Sequence, residues 1–389
     1  MTVDRKIPIS PDCWPARATF RQPANFYLAC GSEILRPCLR LFGNLCSRES
    51  PRPPGQWRRG LLLGETHIGD VLYRTPSLNA LKKGLPECEW SYLAERSSGE
   101  ILSTQPAISK VIEGVRARPG SADYFQLVKR LRAGKFDVAI CYDSGRYWPD
   151  LLLATHAGIP NRVGYVHKGF SGLVTHPVSI RTPQPFPAYF RDLVAELTAQ
   201  TPHWPLRPVV VTRPDDEAEA AAARHSLELS PHRPVLACFV TTRQPHGQWP
   251  RDSYGQTLAL LQRHTGVQLI LCGAASDAPA LEELKRTHGL NCPILAGRLQ
   301  LRALVAFLRG CDAVFCADSG PRHLANAAGV PVFFIRNVWF DRVEAGPYVE
   351  TETDLGPEAE RVAPGAEAEA FRSITPEMVT DVIARRMAR

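Results

Sequence analysis

The sequence has no long apolar run. Nothing approaches the ~20 consecutive apolar residues of a membrane-spanning helix, so an integral membrane protein is not expected. It has no G-x-G-x-x-G after a strand and no Walker sequence, which removes the dinucleotide and ATP fingerprints. Its eleven cysteines form no C-x-x-C pair and no Cys/His cluster of zinc spacing. Cys238 and Cys316 sit inside apolar runs and read as small buried hydrophobes, which fits a reducing, cytoplasmic compartment. The start, MTVDRKIPISPDCWP, is polar and broken by proline, unlike a secretory signal. Basic charge is scarce outside one segment. Residues 1–60 hold ten Lys/Arg and four acids, a net +6 of the chain's +7, and the remainder carries 36 basic against 35 acidic groups. The near-neutral body gives no nucleic-acid footprint.

What is present is alternation. The 389 residues are long for one core, and two domains are the soft expectation. Residues 1–25 show no clear period and are expected to lack regular structure. Residues 26–46 carry Ile34, Leu35, Cys38, Leu39, Leu41, Phe42 and Leu45 at helical spacing, with Arg36 and Arg40 between them. This pattern suits a helix on a membrane surface, or an arm packed on the body or on a partner. Pro37 breaks that helix unless it opens a second one. A Pro/Arg-rich linker follows.

From Gly60 onward, strands at 61–63, 89–94, 109–112, 136–142 and 162–165 alternate with helices. The first helix begins near Asp70, with Pro76 distorting its middle. Residues 170–187 read as irregular. Helices at 189–200 and 215–227 flank a proline-marked connection. The second half repeats the alternation, with strands at 234–240, 267–272, 292–295, 314–316 and 332–335. Residues 341–370 read as an acidic surface loop, and 373–389 as a final helix capped by Thr375. Alternation at this spacing implies doubly wound parallel sheets, with ligands expected in a cleft lined by strand C-termini.

Four strand ends hold the polar residues. Gly64-Glu65-Thr66-His67-Ile68-Gly69-Asp70 brings together two acids and a histidine; a carboxylate there suits a general base or a helix N-cap. Thr241-Thr242-Arg243-Gln244-Pro245-His246-Gly247-Gln248-Trp249-Pro250 offers two hydroxyls and an arginine to a diphosphate, or is a solvated loop. Asp277 suits ribose hydroxyls or an N-cap. In Asp318-Ser319-Gly320-Pro321-Arg322-His323 the first two side chains suit the free N–H groups of a helix start, whose positive end attracts anions. The same residues suit an ordinary capped helix.

Three stretches carry a resemblance. HIGDVLYRTPSLNALKKGLPECEW, TTRQPHGQWPRDSY and CADSGPRHLANAAGVPV resemble the signature segments of glycosyltransferase family 9, the heptosyltransferase-like enzymes of lipopolysaccharide assembly. The resemblance covers about residues 60–340 and leaves out 1–58. It implies an α/β GT-B fold, two Rossmann-like domains facing across a cleft. The boundaries expected are a basic arm and linker at 1–58, an acceptor-side domain at 59–205, an interdomain linker at 206–232, a nucleotide-sugar domain at 233–372 and a C-terminal helix at 373–389.

The resemblance also implies an inverting, metal-independent transfer of a heptose-like sugar from a nucleotide-diphosphate donor such as ADP-heptose. The acceptor would be lipopolysaccharide or a related envelope glycan, and no cofactor is implied. By matching positions, Asp70 would be the base, Thr241 and Thr242 would contact the diphosphate, and Asp318, Ser319, Gly320 and His323 would form the donor pocket. The reading of the residues themselves adds Arg243, His246 and Asp277 to the donor side and His67 and Gly69 to the acceptor side. Partners implied by the resemblance are the donor and a glycolipid acceptor; the pattern at residues 26–46, which the resemblance leaves out, adds peripheral contact with the cytoplasmic face of the inner membrane. One departure stands out: close relatives place a lysine two residues before the Trp of the Trp-Pro pair, where this chain has Gly247. A nucleotide-sugar epimerase or hydrolase, or an impaired nucleotide-sugar-binding scaffold, are the alternatives.

Overall fold

Short apolar runs bounded by turn residues form parallel strands buried on both faces, and the computed structural model of the chain contains two such sheets. The structure describes residues 5–7, 23–47, 49–64, 66–114, 117–142, 148–242, 246–359, 362–363 and 365–387. The chain divides into two compact units, Met1–Pro205 and Leu206–Arg389.

The first unit opens with β1 (Arg5–Ile7), α1 (Pro23–Ile34) and α2 (Arg36–Cys46). Its core elements are β2 (Arg59–Leu63), α3 (Ile68–Gly84), β3 (Glu89–Ala94), α4 (Arg96–Leu102), β4 (Ile108–Glu113) and α5 (Ala122–Ala133). Then come β5 (Val138–Cys141), α6 (Trp148–His156), β6 (Asn161–Gly164), β7 (His176–Pro177), β8 (Ile180–Thr182) and α7 (Phe186–Thr198). The sheet order is β4-β3-β2-β5-β6-β7, with every pair parallel. Strand order reverses beside β2, so the loop leaving β2 stands at a topological switch point.

The second unit contains α8 (Pro214–Ser226), β9 (Val235–Phe239), α9 (Arg251–His264), β10 (Gln268–Leu271), α10 (Ala278–His288) and α11 (Leu301–Arg309). It continues with β11 (Ala313–Ala317), α12 (Gly320–Ala328), β12 (Val332–Ile335), α13 (Arg342–Ala345), β13 (Glu352–Asp354), α14 (Glu367–Ala370) and α15 (Pro376–Met387). Its five parallel strands are ordered β10-β9-β11-β12-β13. The reversal here lies between β9 and β11, so the loops leaving those two strands flank the switch point. Helix α8 packs on α11, and α15 packs on α9. Trp249 is buried beneath α15, edge-on to Tyr254, and its indole N–H donates to the Ile374 carbonyl at 3.3 Å.

Four expectations need correction. Residues 5–7 form a strand, antiparallel to β8. The stretch 170–187, read as irregular, holds β7, the sixth strand of the first sheet. The stretch 341–370, read as surface loop, holds β13, the fifth strand of the second. The strand expected at 292–295 shrinks to one bridge, Leu271 to Ile294. Both missed strands are two or three residues long and polar, so they carry no apolar alternation to read.

Pro37 sits in the first turn of α2, where its missing N–H costs nothing. Pro76 lies inside α3 without ending it. Its missing N–H leaves the Leu72 carbonyl without its helical donor, and the Thr75 hydroxyl donates to that carbonyl at 2.8 Å instead.

Candidate functional site

In the first unit the site is the turn from β2 into α3. Glu65 falls outside the described residues. The Thr66 side chain is buried and its hydroxyl donates to Glu95 Oε1 at 3.0 Å. His67 is exposed, with Nδ1 3.2 Å from the same oxygen. His67 occupies the N-cap position of α3, so Asp70 is not the cap. Gly69 and Asp70 are the second and third helical residues, both half-buried. A carboxylate in the first turn faces the positive end of its helix.

One turn on, Arg74 is buried, donating to the Tyr92 hydroxyl at 2.5 Å and to the Tyr142 carbonyl at 3.1 Å. Burial opposes its charge, but Tyr92, Asp70 and Tyr142 together more than offset this and raise its pKa. Asp70 is thus held near a permanent cation. Sequence reading passed over Arg74; its acid–base spacing of four from Asp70 was the available signal.

In the second unit, three strand-end loops are joined into one structure. Thr241 and Thr242 follow β9 and are half-buried. Arg243, expected in the donor set, lies outside the described residues. The exposed His246 ring stacks on Trp339, with centroids 5.3 Å apart and planes 3° apart. The Trp339 indole N–H donates to Glu367 at 2.6 Å. The Asn337 amide donates to the His246 carbonyl at 3.0 Å and accepts from the Trp339 N–H at 2.9 Å. The Asn337 backbone N–H donates to Asp318 Oδ2 at 3.3 Å, and the Val338 N–H to the Gly247 carbonyl at 2.9 Å.

This bolting explains Gly247. Its φ is +71°, and a Cβ there would lie 2.4 Å from Asn337 Oδ1 and 2.8 Å from Trp339 Cγ. A lysine at this position has neither the backbone conformation nor the room.

After β11, Ser319 takes the N-cap position of α12, but no side chain caps the helix. This corrects the expectation that Asp318 and Ser319 accept its first N–H groups. Ser319 Oγ instead lies 3.4 Å from the Ala317 carbonyl. Asp318 Oδ1 accepts from Arg322 at 2.9 Å. Burial raises the Asp318 pKa, against the pull of Arg322 and the Asn337 N–H.

Arg322 is buried and spent internally. It also donates to Glu352 at 2.5 and 3.1 Å and to the carbonyls of Ala345 and Gly346 at 2.7 and 2.6 Å. Its guanidinium lies 3.6 Å from the Phe334 ring centroid. Glu352 further accepts from the Asn326 amide and the Tyr348 N–H, both at 2.8 Å.

His323 is buried, with Nδ1 2.6 Å from the Tyr348 hydroxyl, and burial holds its pKa well below 6.5. The Asn326 amide donates to that same hydroxyl at 2.8 Å. The neutral ring is thus held at Nδ1 by the Tyr348 hydroxyl. Gly320 and Ser319 remain half-buried at the helix mouth.

Asp277 follows the β10 loop. Its Oδ2 accepts from the Ala274 N–H at 2.8 Å, and it does not cap α10. Among the described residues, no group of three or more His, Cys, Asp or Glu side chains could hold a metal ion.

Among the described residues, the first unit therefore presents Asp70 half-buried at its switch point, with Glu95 bonded to the same loop. The second unit gathers hydroxyls, an aromatic stack and an uncapped helix start at its own switch point. Sequence reading missed Asn337, Trp339, Tyr348 and Glu352, the residues that hold these loops; they lie in stretches without a motif.

A sequence model of glycosyltransferase family 9 (heptosyltransferase) matches residues 124–335. The chain is 26% identical over 288 residues to a protein named lipooligosaccharide heptosyltransferase 2 from Haemophilus influenzae, covering 70% of this chain and 81% of the relative. It superposes on a family 9 glycosyltransferase from Veillonella parvula with a TM-score of 0.73 at 18% identity, covering 88% of this chain and 99% of the other. It superposes on Escherichia coli ADP-heptose lps heptosyltransferase II with a TM-score of 0.65 at 20% identity, covering 85% and 98%.

Proposed function

This chain belongs to glycosyltransferase family 9 and is a glycosyltransferase, and we propose that it moves a heptose-like sugar from a nucleotide-diphosphate donor such as ADP-heptose to a lipopolysaccharide-type acceptor. The names of its relatives support the sugar and the acceptor. The observation that carries the donor site is the mouth of α12, where no side chain caps the helix at the switch point of a parallel sheet. Backbone N–H groups so placed attract a phosphate.

In this reading Asp70 takes the proton of an acceptor hydroxyl, whose oxygen attacks the anomeric carbon of the donor. The bond from that carbon to the diphosphate oxygen breaks. Its electron pair leaves with the nucleoside diphosphate, and the configuration inverts. The α12 N–H groups and the hydroxyls of Thr241, Thr242 and Ser319 stabilise the charge that develops on the leaving group. Gly320 lets the phosphate approach the backbone. Arg243 or His246 supplies the cation that a lysine cannot supply at Gly247. His67 and Gly69 border the acceptor, and Asp277 meets the ribose hydroxyls. His323, fixed by Tyr348, supports the pocket from below. No resident metal is part of this reading.

The test is Asp70→Asn. Transfer falls by about 10²- to 10⁴-fold, the range of a lost general base, while ADP affinity measured by calorimetry stays unchanged. Full transfer by the variant overturns the assignment of Asp70. Loss of ADP binding shows that Asp70 holds donor rather than proton.

A further inference from the structure

We infer that the α1–α2 segment, a helix kinked at Leu35 ahead of Pro37, is a docking element for an anionic lipid surface, lying in the headgroup plane. The inference stands apart from the donor chemistry and rests on how this kinked helix divides its two faces.

The inward face is fully engaged with the first unit. Glu33 accepts from the backbone N–H and hydroxyl of Ser171 at 2.9 and 2.5 Å. Ser32 Oγ accepts from the Phe170 N–H at 2.8 Å. Phe42 packs edge-on against His156 at 5.3 Å, and Leu39 joins the core. The backbone approach is close: a Cβ on Gly172 would lie 2.8 Å from that of Leu39. The kinked helix is therefore a seated element with a defined outer side.

That outer side is apolar. Tyr27, Leu28, Ile34, Leu35, Leu41 and Leu45 are exposed, four of them by 60% or more of their surface. Tyr27, Leu28, Ile34 and Leu35 follow i, i+1, i+7, i+8 along α1 and into the kink, and Leu41 and Leu45 follow i, i+4 on α2, a stripe at helical period. A soluble monomer does not ordinarily gather so many large apolar side chains on one face.

The charge pattern selects the occupant. Residues 23–47 contain one acid, Glu33, and it is turned inward; the two bases are Arg36, half-buried, and Arg40, exposed. This stripe lies within residues 1–60, which hold +6 of the chain's +7. An apolar stripe beside an exposed arginine, Arg40, with no outward acid among residues 23–47, complements anionic headgroups above acyl chains. Glu33, Arg36, Pro37 and Arg40 interrupt the apolar run, so the segment suits the surface of a bilayer and not its core. Among the described residues no helix is long and apolar enough to span one.

The experiment is co-sedimentation of the full chain with vesicles containing phosphatidylglycerol and with vesicles of phosphatidylcholine alone, at low and high salt. The wild type pellets with the anionic vesicles, and high salt weakens this. The double variant Leu41→Glu/Leu45→Glu loses partitioning on the order of a hundredfold or more, and Arg40→Glu loses part of it. Both retain the wild-type melting temperature, because the altered side chains face outward. A single-helix variant, Tyr27→Glu/Leu28→Glu, repeats the test should the first pair fail to fold. Wild type that stays in the supernatant with both vesicle types overturns the proposal. So does unchanged pelleting of the folded variants. Self-association in sedimentation velocity, abolished by the same substitutions without vesicle binding, also overturns it and assigns the face to a second copy.

Discussion

Gly247 shows how much one residue's meaning depends on distant neighbours. In the sequence it marks an expected lysine that is missing. In the structure it is a position where φ is +71° and Asn337 and Trp339 occupy the space of a side chain. Restoring the lysine is therefore expected to harm. Gly247→Lys costs about 1–3 kcal/mol through the left-handed backbone and the clash, read as a lower urea midpoint. An unchanged midpoint with faster transfer would show that the loop can shift aside. Arg322 makes the complementary point. It stands inside the family-like segment and invites a phosphate-binding role, yet its donors are spent on Asp318, Glu352 and two carbonyls. The motif gave residue types; a contact 30 residues away, to Glu352, decided what one of them does.

At the scale of elements, most helices and strands were legible because their signals are local. The strands Glu89–Ala94 and Val332–Ile335 and the helix Ala278–His288 fall where apolar period and turn residues put them. Thr375 Oγ1 accepts from the Met378 N–H at 3.3 Å, the cap read from the sequence. β7 and β13 were not legible, because a short polar strand exists only when a neighbour offers it hydrogen bonds. Helix α3 carries a testable repair. Pro76 removes one donor, and the Thr75 hydroxyl replaces it at the Leu72 carbonyl. Thr75→Val keeps the shape and orphans that carbonyl, so a loss of about 1–3 kcal/mol is expected, measured by chemical unfolding. No loss would mean that water reaches the carbonyl.

For the whole molecule, acid sensitivity follows from where histidines are buried. Burial holds His167 and His323 well below 6.5 and lowers His156 and His176 as well. A depressed folded pKa means that the unfolded chain binds the proton first. Stability is then full above about pH 6.5 and falls as pH drops below it, by at most ~1.4 kcal/mol per pH unit per histidine. Three of the four lie in the first unit and only His323 in the second. Calorimetry between about pH 7 and pH 5 should show the transition of the first unit falling further. Equal shifts would count against buried neutral histidines as the cause. The sequence by itself determined two Rossmann-like units and the loops that carry their polar residues, because strand period, helix caps and turn residues act within a few positions. Tertiary structure alone decided which of those polar groups are spent on one another, why Gly247 admits no side chain, and which face of the kinked N-terminal helix remains outside. Those outcomes depend on contacts between residues tens to more than a hundred positions apart, Gly247 with Trp339 and Glu33 with Ser171 among them, which no local pattern encodes.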